Sequence, residues 1–184
     1  MNITPLRSWW LDIWNHIENS EENLAYLWIE IREEYTLTQT EISHIHRIAN
    51  EHSCLQWGDE MFYIQDAENG IIKLYKWKNL LGYIFAHSGE IDDIKYYERG
   101  SLWVSECLQW HSLWKYLMIK MTKKLWSKKI LSVTWNKIVQ SVNEIIMDYE
   151  VTKPKWILKE MIENRWKMKS NYRYFINEQL MQIL

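Results

Sequence analysis

The chain has 184 residues, a net charge of −2 and a composition that is 47% hydrophobic and 25% charged, which is ordinary for a globular protein able to bury a full core. No apolar run approaches the 18 residues that a membrane-spanning helix needs, and the N-terminus lacks the charged start and cleavage site of a signal peptide. The two cysteines are too few for a disulfide scaffold. We therefore expect one cytoplasmic domain, with Cys54 and Cys107 as buried free thiols and no association with membranes.

The charge is distributed unevenly along the chain. Residues 1–70 carry three basic and 13 acidic side chains, a net charge of −10, whereas the remaining residues carry a net charge of +8. Such asymmetry indicates either a surface that faces a polyanion or two halves that attract each other.

Aromatic residues are abundant, with 13 Trp and 11 Tyr against three Phe. Many of them recur at helical or strand spacing, which favours core packing. The alternative is an exposed aromatic surface for a protein partner or a nucleic acid.

The first third of the chain has helical patterns throughout. Residues 8–17 carry apolar side chains at helical spacing, and Ser20 is a favourable N-cap for a second helix whose apolar stripe extends to Ile31. The sequence Thr38-Gln-Thr-Glu41 is a capping box that opens a third helix. We therefore expect a helical N-terminal part over residues 1–58.

Strand patterns follow. Four strands are expected, over residues 61–65, 71–77, 80–87 and 101–108. A turn is expected at Lys78-Asn79 and a loop over residues 89–100. Beyond them we expect a helix capped by Ser112, a strand over 130–135, a helix over 138–149, a helix with Pro154 at its first position, a strand over 171–176 and a helical C-terminus. This order predicts an α+β fold, with a mixed, mostly antiparallel central sheet and helices packed on it. Residues 59–150 would form the sheet-and-helix core, and residues 151–184 a C-terminal extension.

Motifs of phosphate-binding loops, dinucleotide folds, serine hydrolases and zinc peptidases are absent from the sequence. His44 and His46 are two residues apart, so on a helix they point in different directions. We therefore expect no metal site.

Residues 75–149 are patterned as a hairpin with the segment Gly82-Tyr-Ile, then strand, helix, strand and helix. This order resembles the central part of the GNAT acyltransferases and, more loosely, the toxin-activating lysine acyltransferases. The resemblance implies an acyl-CoA cofactor held where the second strand ends and the next helix begins, at Leu108 and Ser112. It also implies that Asn136, which ends the following strand, helps to bind the cofactor, and that Tyr149 is a general acid.

Two further catalytic candidates come from the residues themselves. Glu106 lies in a mostly apolar strand, where burial would make it a usable general base for an amine, and His111 immediately precedes the helix. The pyrophosphate loop of the family reads Q/R-x-x-G-x-G/A, whereas residues 109–115 contain no glycine. The expected function is therefore an N-acyltransferase or a degenerate relative without activity.

Two other functions remain open. A composition rich in Ile, Asn and Lys indicates an AT-rich genome, as in many phages and plasmids. It allows a non-enzymatic virion component or an inhibitor that binds a host protein, and it leaves an oligomer open. The segment from Lys115 to Arg173 has a net charge of +9 with interleaved aromatic residues, which allows nucleic-acid binding, with its lysine candidates at Lys123, Lys124, Lys128 and Lys129. A GNAT-like protein should splay the strands 102–108 and 130–135 apart, whereas an interaction protein should expose a contiguous aromatic patch.

Overall fold

The computed structural model describes residues 1–6, 10–51, 70–105, 112–163 and 171–184. The strands in the described residues are β1 (Asn2–Pro5), β2 (Glu30–Glu34), β3 (Ile71–Lys76), β4 (Asn79–Ile91), β5 (Ile94–Val104), β6 (Ile130–Thr134), β7 (Tyr149–Thr152) and β8 (Arg173–Ile176). The helices there are α1 (Trp10–Tyr26), α2 (Gln39–Glu51), α3 (Leu113–Leu125), α4 (Lys137–Ile146), α5 (Trp156–Glu163) and α6 (Glu178–Met181).

The strands form one sheet in the order β1-β7-β8-β6-β5-β4-β3-β2. Neighbouring strands are antiparallel, apart from β5 and β6, which are parallel. The connection between that parallel pair runs through α3, as parallel strands require. The mixed, mostly antiparallel sheet with helices packed on it confirms the fold class expected from the sequence.

Apolar side chains cover both faces of the sheet. On one face α1, α3 and α4 pack over the central strands and bury a cluster that includes Leu24, Leu117 and Val142. On the other face α2 packs on β3 and β4, and α5 packs on β6 to β8, forming two smaller clusters. A sheet buried on both faces explains why so many strand residues are apolar.

The two ends of the sheet differ. Because β5 and β6 run in the same direction, their C-terminal ends lie at the same end of the sheet, which we call the open end. The β3–β4 turn, the start of β2 and the start of α3 are also at this end, as the strand directions require. The opposite end, where α3 finishes, is called the closed end.

The prediction of an entirely helical N-terminal part is wrong in two places. Residues 2–5 form an edge strand against β7, and residues 30–34 form an edge strand against β3. The predicted helix boundary at Ser20 is also wrong, because α1 continues through this residue, which is 5% exposed. Ile13, Ile17 and Leu24 lie on the same helical face as Ser20, so one longer helix buries all of them.

The prediction of a loop over residues 89–100 is wrong as well. These residues form the end of β4 and most of β5, joined by a two-residue turn at Asp92 and Asp93. Both aspartates have a positive φ, 50° and 64°, as in a type I′ hairpin turn. The earlier hairpin turn lies at Trp77-Lys78, one residue before its predicted position.

Smaller differences concern the C-terminal half. The helix expected to reach Tyr149 ends at Ile146, so Tyr149 lies in β7, and α5 begins at Trp156 instead of at Pro154. The extension contributes β8 to the sheet, where a strand was expected. The strand expected over residues 61–65 lies outside the described residues.

Candidate functional site

The parallel strands β5 and β6 part in the middle of the sheet. Their pairing is limited to Tyr97 with Ile130 and Glu98 with Leu131, although both strands continue towards the open end. The splaying expected of strands 102–108 and 130–135 is therefore present as far as Ser105, the last residue of the first strand that the structure describes. Beyond Glu98 and Leu131 the two strands form no ladder with each other, which leaves a split between them.

A β-bulge lies at the point where the strands part. Ala86 is opposite Arg99 and Ile84 is opposite Leu102, so residues 100 and 101 together face a single residue of β4. A bulge bends its strand and increases the local twist. The extra residue therefore bends β5 close to the point where its pairing with β6 ends.

The N-terminus of α3 lies at the open end of the split. Ser112 precedes this helix in the left-handed backbone region, with φ 55° and ψ 24°, and its side chain makes no capping hydrogen bond. In the family loop Q/R-x-x-G-x-G/A, counted from Gln109, Ser112 occupies the position of the first glycine. A serine here thus adopts the backbone conformation for which glycine is favoured, and it presents an exposed helix start, where the backbone N–H groups attract anions.

A carboxylate and an imidazole are buried beside the point where β5 and β6 part, which we call the apex of the split. Glu98 is 2% exposed and is the last residue of β5 that pairs with β6. His87, 5% exposed, lies directly opposite Glu98 on β4, on the same face of the sheet. Its ring also lies 6.4 Å from that of Phe85. Side chains directly opposite each other on antiparallel strands are within contact distance, so Glu98 and His87 form a paired acid–base candidate.

A buried guanidinium lies on the other face at the same apex. The Nη1 atom of Arg99 donates to the hydroxyl of Thr122 over 2.9 Å, and Nη2 donates to Asn143. Asn143 in turn donates to the hydroxyl of Ser132 over 3.0 Å. The buried Nε atom has no acceptor in the part of the chain that the structure describes. Burial lowers the pKa of Arg99 to about 9, and Glu98 partly offsets this effect, so the guanidinium stays charged at neutral pH.

Only part of the predicted site can be placed. Glu106, Leu108 and His111 lie outside the described residues. Asn136 is at the open end, where its side chain accepts hydrogen bonds from the backbone of Ile138 and Val139 as the N-cap of α4.

Tyr149 lies away from the split. It shares a row across the sheet with Ile176, Leu131 and Glu98, three strand spacings from Glu98, about 14 Å. Its hydroxyl donates to Glu178 over 2.5 Å, which raises the pKa of Tyr149.

The four candidate lysines of the nucleic-acid hypothesis lie at the closed end. Lys124 pairs with Glu33 over 3.0 Å and lies above the ring of Tyr35, and Lys128 lies above the ring of Tyr97. Lys123 and Lys129 are at the end of α3 and just before β6. At this end of the sheet, side chains from the acidic and the basic halves of the sequence are thus in contact.

Further ion pairs connect the same two halves. Lys120 pairs with Glu21 over 2.9 Å, and the fully buried Lys73 contacts Glu34 and lies 3.0 Å from Glu41. The attraction between halves that the sequence allowed is therefore present in the fold. It uses part of the basic charge that was considered for a polyanion.

Sequence reasoning missed Glu98, His87 and Arg99. Glu98 and Arg99 were assigned to a polar loop, because charged residues between Glu90 and Arg99 obscured the strand pattern. The signal that would have found them is the pair Asp92-Asp93 between two isoleucines. Two consecutive residues that tolerate a positive φ indicate a hairpin turn, and the flanking strands then place Glu98 opposite His87.

No protein-family model and no curated protein sequence matches the chain. Several solved structures, however, superpose on it. ElaA from Escherichia coli superposes with a TM-score of 0.53 at 15% identity, over 82% of this chain and 99% of that one. NAA60 from Arabidopsis thaliana in complex with acetyl-CoA gives 0.53 at 8%, over 80% and 97%. N-acetylglutamate synthase from Neisseria gonorrhoeae, complexed with coenzyme A and N-acetyl-glutamate, gives 0.53 at 14%, over 80% of this chain and 35% of that one. The fold is GNAT-like.

Among the described residues, no helix is long and apolar enough to cross a membrane. No group of three or more His, Cys, Asp or Glu side chains in these ranges is arranged to hold a metal ion.

Proposed function

We propose that the protein binds an acyl-CoA in the split between β5 and β6 and transfers the acyl group to an amine. The observation that carries this proposal is the parting of the two strands after Glu98 and Leu131, with the start of α3 at the open end. Two of the similar solved structures were determined with coenzyme A or acetyl-CoA, and the fold they share supports the same cofactor here.

The split offers a place for an extended thioester ligand. Strand backbone that is not used in a β5–β6 ladder can pair with the amide groups of a ligand, as an added strand would. The diphosphate of CoA would lie on the backbone N–H groups that follow Ser112, where the helix dipole favours negative charge. In this arrangement the thioester comes to the apex, beside Glu98. Asn136 lies at the same end of the sheet and could contribute to cofactor binding.

In the reaction, the amine nitrogen bonds to the thioester carbon and the carbon–sulfur bond breaks. The nitrogen loses one proton and the CoA thiolate gains one. We assign proton removal to Glu98, with His87 as its neighbour in the proton path. Arg99, on the other face, keeps a positive charge near the apex, where the thioester oxygen becomes negative in the transition state. Tyr149 and the unplaced Glu106 and His111 remain candidates from the family pattern.

Binding is tested by titrating the protein with CoA and acetyl-CoA in a calorimeter, with ATP as a polyanion control. We expect CoA binding that ATP does not reproduce. Ser112→Asp should weaken CoA binding at least about tenfold, because a carboxylate would repel the diphosphate, while Asp tolerates the left-handed backbone. Ser112→Gly should leave the affinity unchanged, since glycine suits that φ.

A second control adds the same charge elsewhere. Thr38→Asp places a carboxylate at the start of α2, at the closed end, where Thr38 already accepts a hydrogen bond from Glu41 N over 3.2 Å. Its CoA affinity should equal that of the wild type. Equal losses in Ser112→Asp and Thr38→Asp, or no CoA binding by the wild type, would refute the assigned site.

Chemistry is tested by the release of free CoA thiol from acetyl-CoA in the presence of a panel of primary amines. Glu98→Gln should lower the rate at least about 100-fold and leave CoA affinity unchanged, as expected for a general base. Glu90→Gln, at the exposed end of the same hairpin, is the matched control. A rate unchanged in Glu98→Gln would remove this residue from the mechanism.

A further inference from the structure

Exposed apolar side chains are concentrated at the open end of the sheet. The large apolar residues with at least about a third of their surface exposed, among the residues described, are Tyr26, Trp28, Tyr35, Trp77, Trp135, Ile138, Trp156 and Ile183. Six of them lie at the open end, and Tyr35 and Ile183 do not. Singly exposed apolar residues need no explanation, but this grouping at one end does.

The strand directions show that these residues lie at the open end. Tyr26 and Trp28 lie between α1 and β2, and Trp77 lies in the β3–β4 turn. The pairing of β2 with β3 ends at Glu30 and Tyr75, so Trp28 and Trp77 lie just beyond the ends of two neighbouring strands, at the same end of the sheet.

The remaining members lie on the other side of the split. Trp135 and Ile138 connect β6 to α4, and Trp156 begins α5 shortly after β7, which runs parallel to β6. The six residues thus follow the open end from β7 to β2, across six strand spacings or about 29 Å. We call them the aromatic rim.

Lysines accompany the tryptophans of the rim. Trp77 lies between Lys76 and Lys78, and Lys137 follows Trp135 by two residues. Trp156 follows Lys155 directly.

These lysines differ from those of the closed end. Lys76, Lys78, Lys137, Lys153 and Lys155 make no ion pair with a carboxylate within the described ranges. At the closed end, by contrast, Lys120 and Lys124 pair with Glu21 and Glu33. Among the described residues, the open end therefore carries lysines that have no carboxylate partner.

Three rim tryptophans occupy backbone positions that favour other residues. Trp28 has a φ of 57°, Trp77 a φ of 61° and Trp156 a φ of 32°. For a bulky side chain such values are uncommon and cost free energy, whereas glycine or asparagine adopts a positive φ more readily. None of the three rings is buried, at 82%, 83% and 65% exposure, so core packing does not explain their presence. An observed strain of this kind points to a role for the rings outside the fold.

We infer that the aromatic rim and its lysines bind a single-stranded nucleic acid. Flat rings stack on unpaired bases and lysines neutralise the phosphates between them, which is how sequence-tolerant single-strand binding works. Five of the six rim residues are aromatic and four of these are tryptophans, so the rim offers several flat faces on which unpaired bases can stack. This surface is distinct from the closed-end lysines Lys123, Lys124, Lys128 and Lys129, and it does not require that the protein bind CoA.

The test measures fluorescence anisotropy of labelled 12-nucleotide single-stranded RNA and DNA with the full chain, in the absence of CoA, over a series of salt concentrations. We expect binding that weakens as salt rises. Trp77→Gly should reduce the affinity about tenfold, because one stacked base is lost while glycine suits the turn. The double variant Lys76→Gln/Lys78→Gln should lower the slope of log affinity against log salt by about 1.4, from two lost phosphate contacts.

Matched controls come from the closed end. Tyr35→Ala removes an exposed ring, and Lys123→Gln/Lys128→Gln removes two lysines; both should bind the oligonucleotides like the wild type. The inference is overturned if no oligonucleotide binds at low salt, or if the closed-end variants lose as much affinity as the rim variants. It is also overturned if Trp77→Gly abolishes only binding to anionic vesicles or only self-association measured by analytical ultracentrifugation, since either result assigns the rim to another partner. Unfolding curves confirm that each variant is folded.

Discussion

Replacing Trp28 by asparagine should stabilise the protein. The end of α1 forms a Schellman motif, in which Trp28 N bonds to Ala25 O over 3.1 Å and Ile29 N bonds to Leu24 O over 2.9 Å. In this motif the left-handed residue is usually glycine and sometimes asparagine, and here it is Trp28. The expected apolar contact across the motif, between Ile29 and Leu24, is present in the core.

The magnitude follows from two opposing effects. A left-handed backbone costs a bulky residue about 1–2 kcal/mol, most of which asparagine avoids. Against this, Trp28 is 82% exposed, so the substitution gives up contacts over at most roughly 45 Å² of side chain, about 1 kcal/mol. Asparagine restores part of that contact. The net expectation is a gain of about 0.5–1 kcal/mol, or a rise in Tm of about 1–4 °C.

The same substitution at Trp135 is the control. Trp135 has an ordinary negative φ and is only 56% exposed, so Trp135→Asn loses contacts over roughly 110 Å² of side chain and should cost about 2–3 kcal/mol. Urea unfolding followed by circular dichroism at 25 °C gives both values. Opposite signs are expected for one and the same chemical change. A loss of stability in Trp28→Asn as large as that in Trp135→Asn would refute the reasoning, and with it the claim that the rim tryptophans are retained at a cost to the fold.

Three other changes test the fold and the family pattern. Burial raises the pKa of Asp148, although its carboxylate accepts a hydrogen bond from Glu178 N over 2.8 Å. Because the pKa of Asp148 is higher in the folded than in the unfolded protein, stability is lost as the pH rises from the unfolded pKa through the folded pKa. Asp148→Asn should therefore be more stable than the wild type at pH 7 and equally stable near pH 3. Thermal unfolding at the two pH values measures this difference. Gly89→Ala should cost about 1–3 kcal/mol in urea unfolding, because its Cβ would overlap the fully buried ring of Tyr96, and additional replacement of that ring by leucine should recover part of the loss. Tyr149→Phe should leave thiol release unchanged if the hydroxyl serves only Glu178, whereas a lower rate at unchanged CoA affinity would assign the general-acid role.

The sequence predicted the elements whose pattern is local. The α3 helix, β6, the capping box at Thr38 and the strand around Gly82 follow from apolar spacing and capping residues, and the structure contains them. The helix expected after Ser20 was extended to Ile31, because the apolar stripe of Leu24, Leu27, Trp28 and Ile31 has helical spacing. At the edge of a sheet, however, charged side chains stay in water, and pairing with β3 outweighs this local pattern.

The candidate site depends on information that is not local. The split is a property of two strands separated by more than 20 residues, and only the resemblance to a known family made it an expectation. Glu98 and Arg99 lie on opposite faces of β5 at the apex. They can be placed there only when the register of the Asp92-Asp93 hairpin is known. Because residues 89–100 were expected to form a loop, Glu98 was not considered, and the predicted general base was Glu106 in the next expected strand. Glu106 lies outside the described residues.

Ser112 shows what the absence of glycine from residues 109–115 changes physically. Glycines in a phosphate-binding loop supply a positive φ and allow the ligand to approach the backbone. A positive φ is present here without glycine, since Ser112 has a φ of 55°. The second requirement is less well met, because Trp114 stands where the family has a glycine or alanine. The geometry of the split therefore favours CoA binding, and the bulk of Trp114 is what would weaken it. A protein that kept the fold but had lost the cofactor would have no use for a strained serine at the start of α3, and for this reason Ser112→Asp and Ser112→Gly are the variants that test whether the start of this helix binds the diphosphate of CoA.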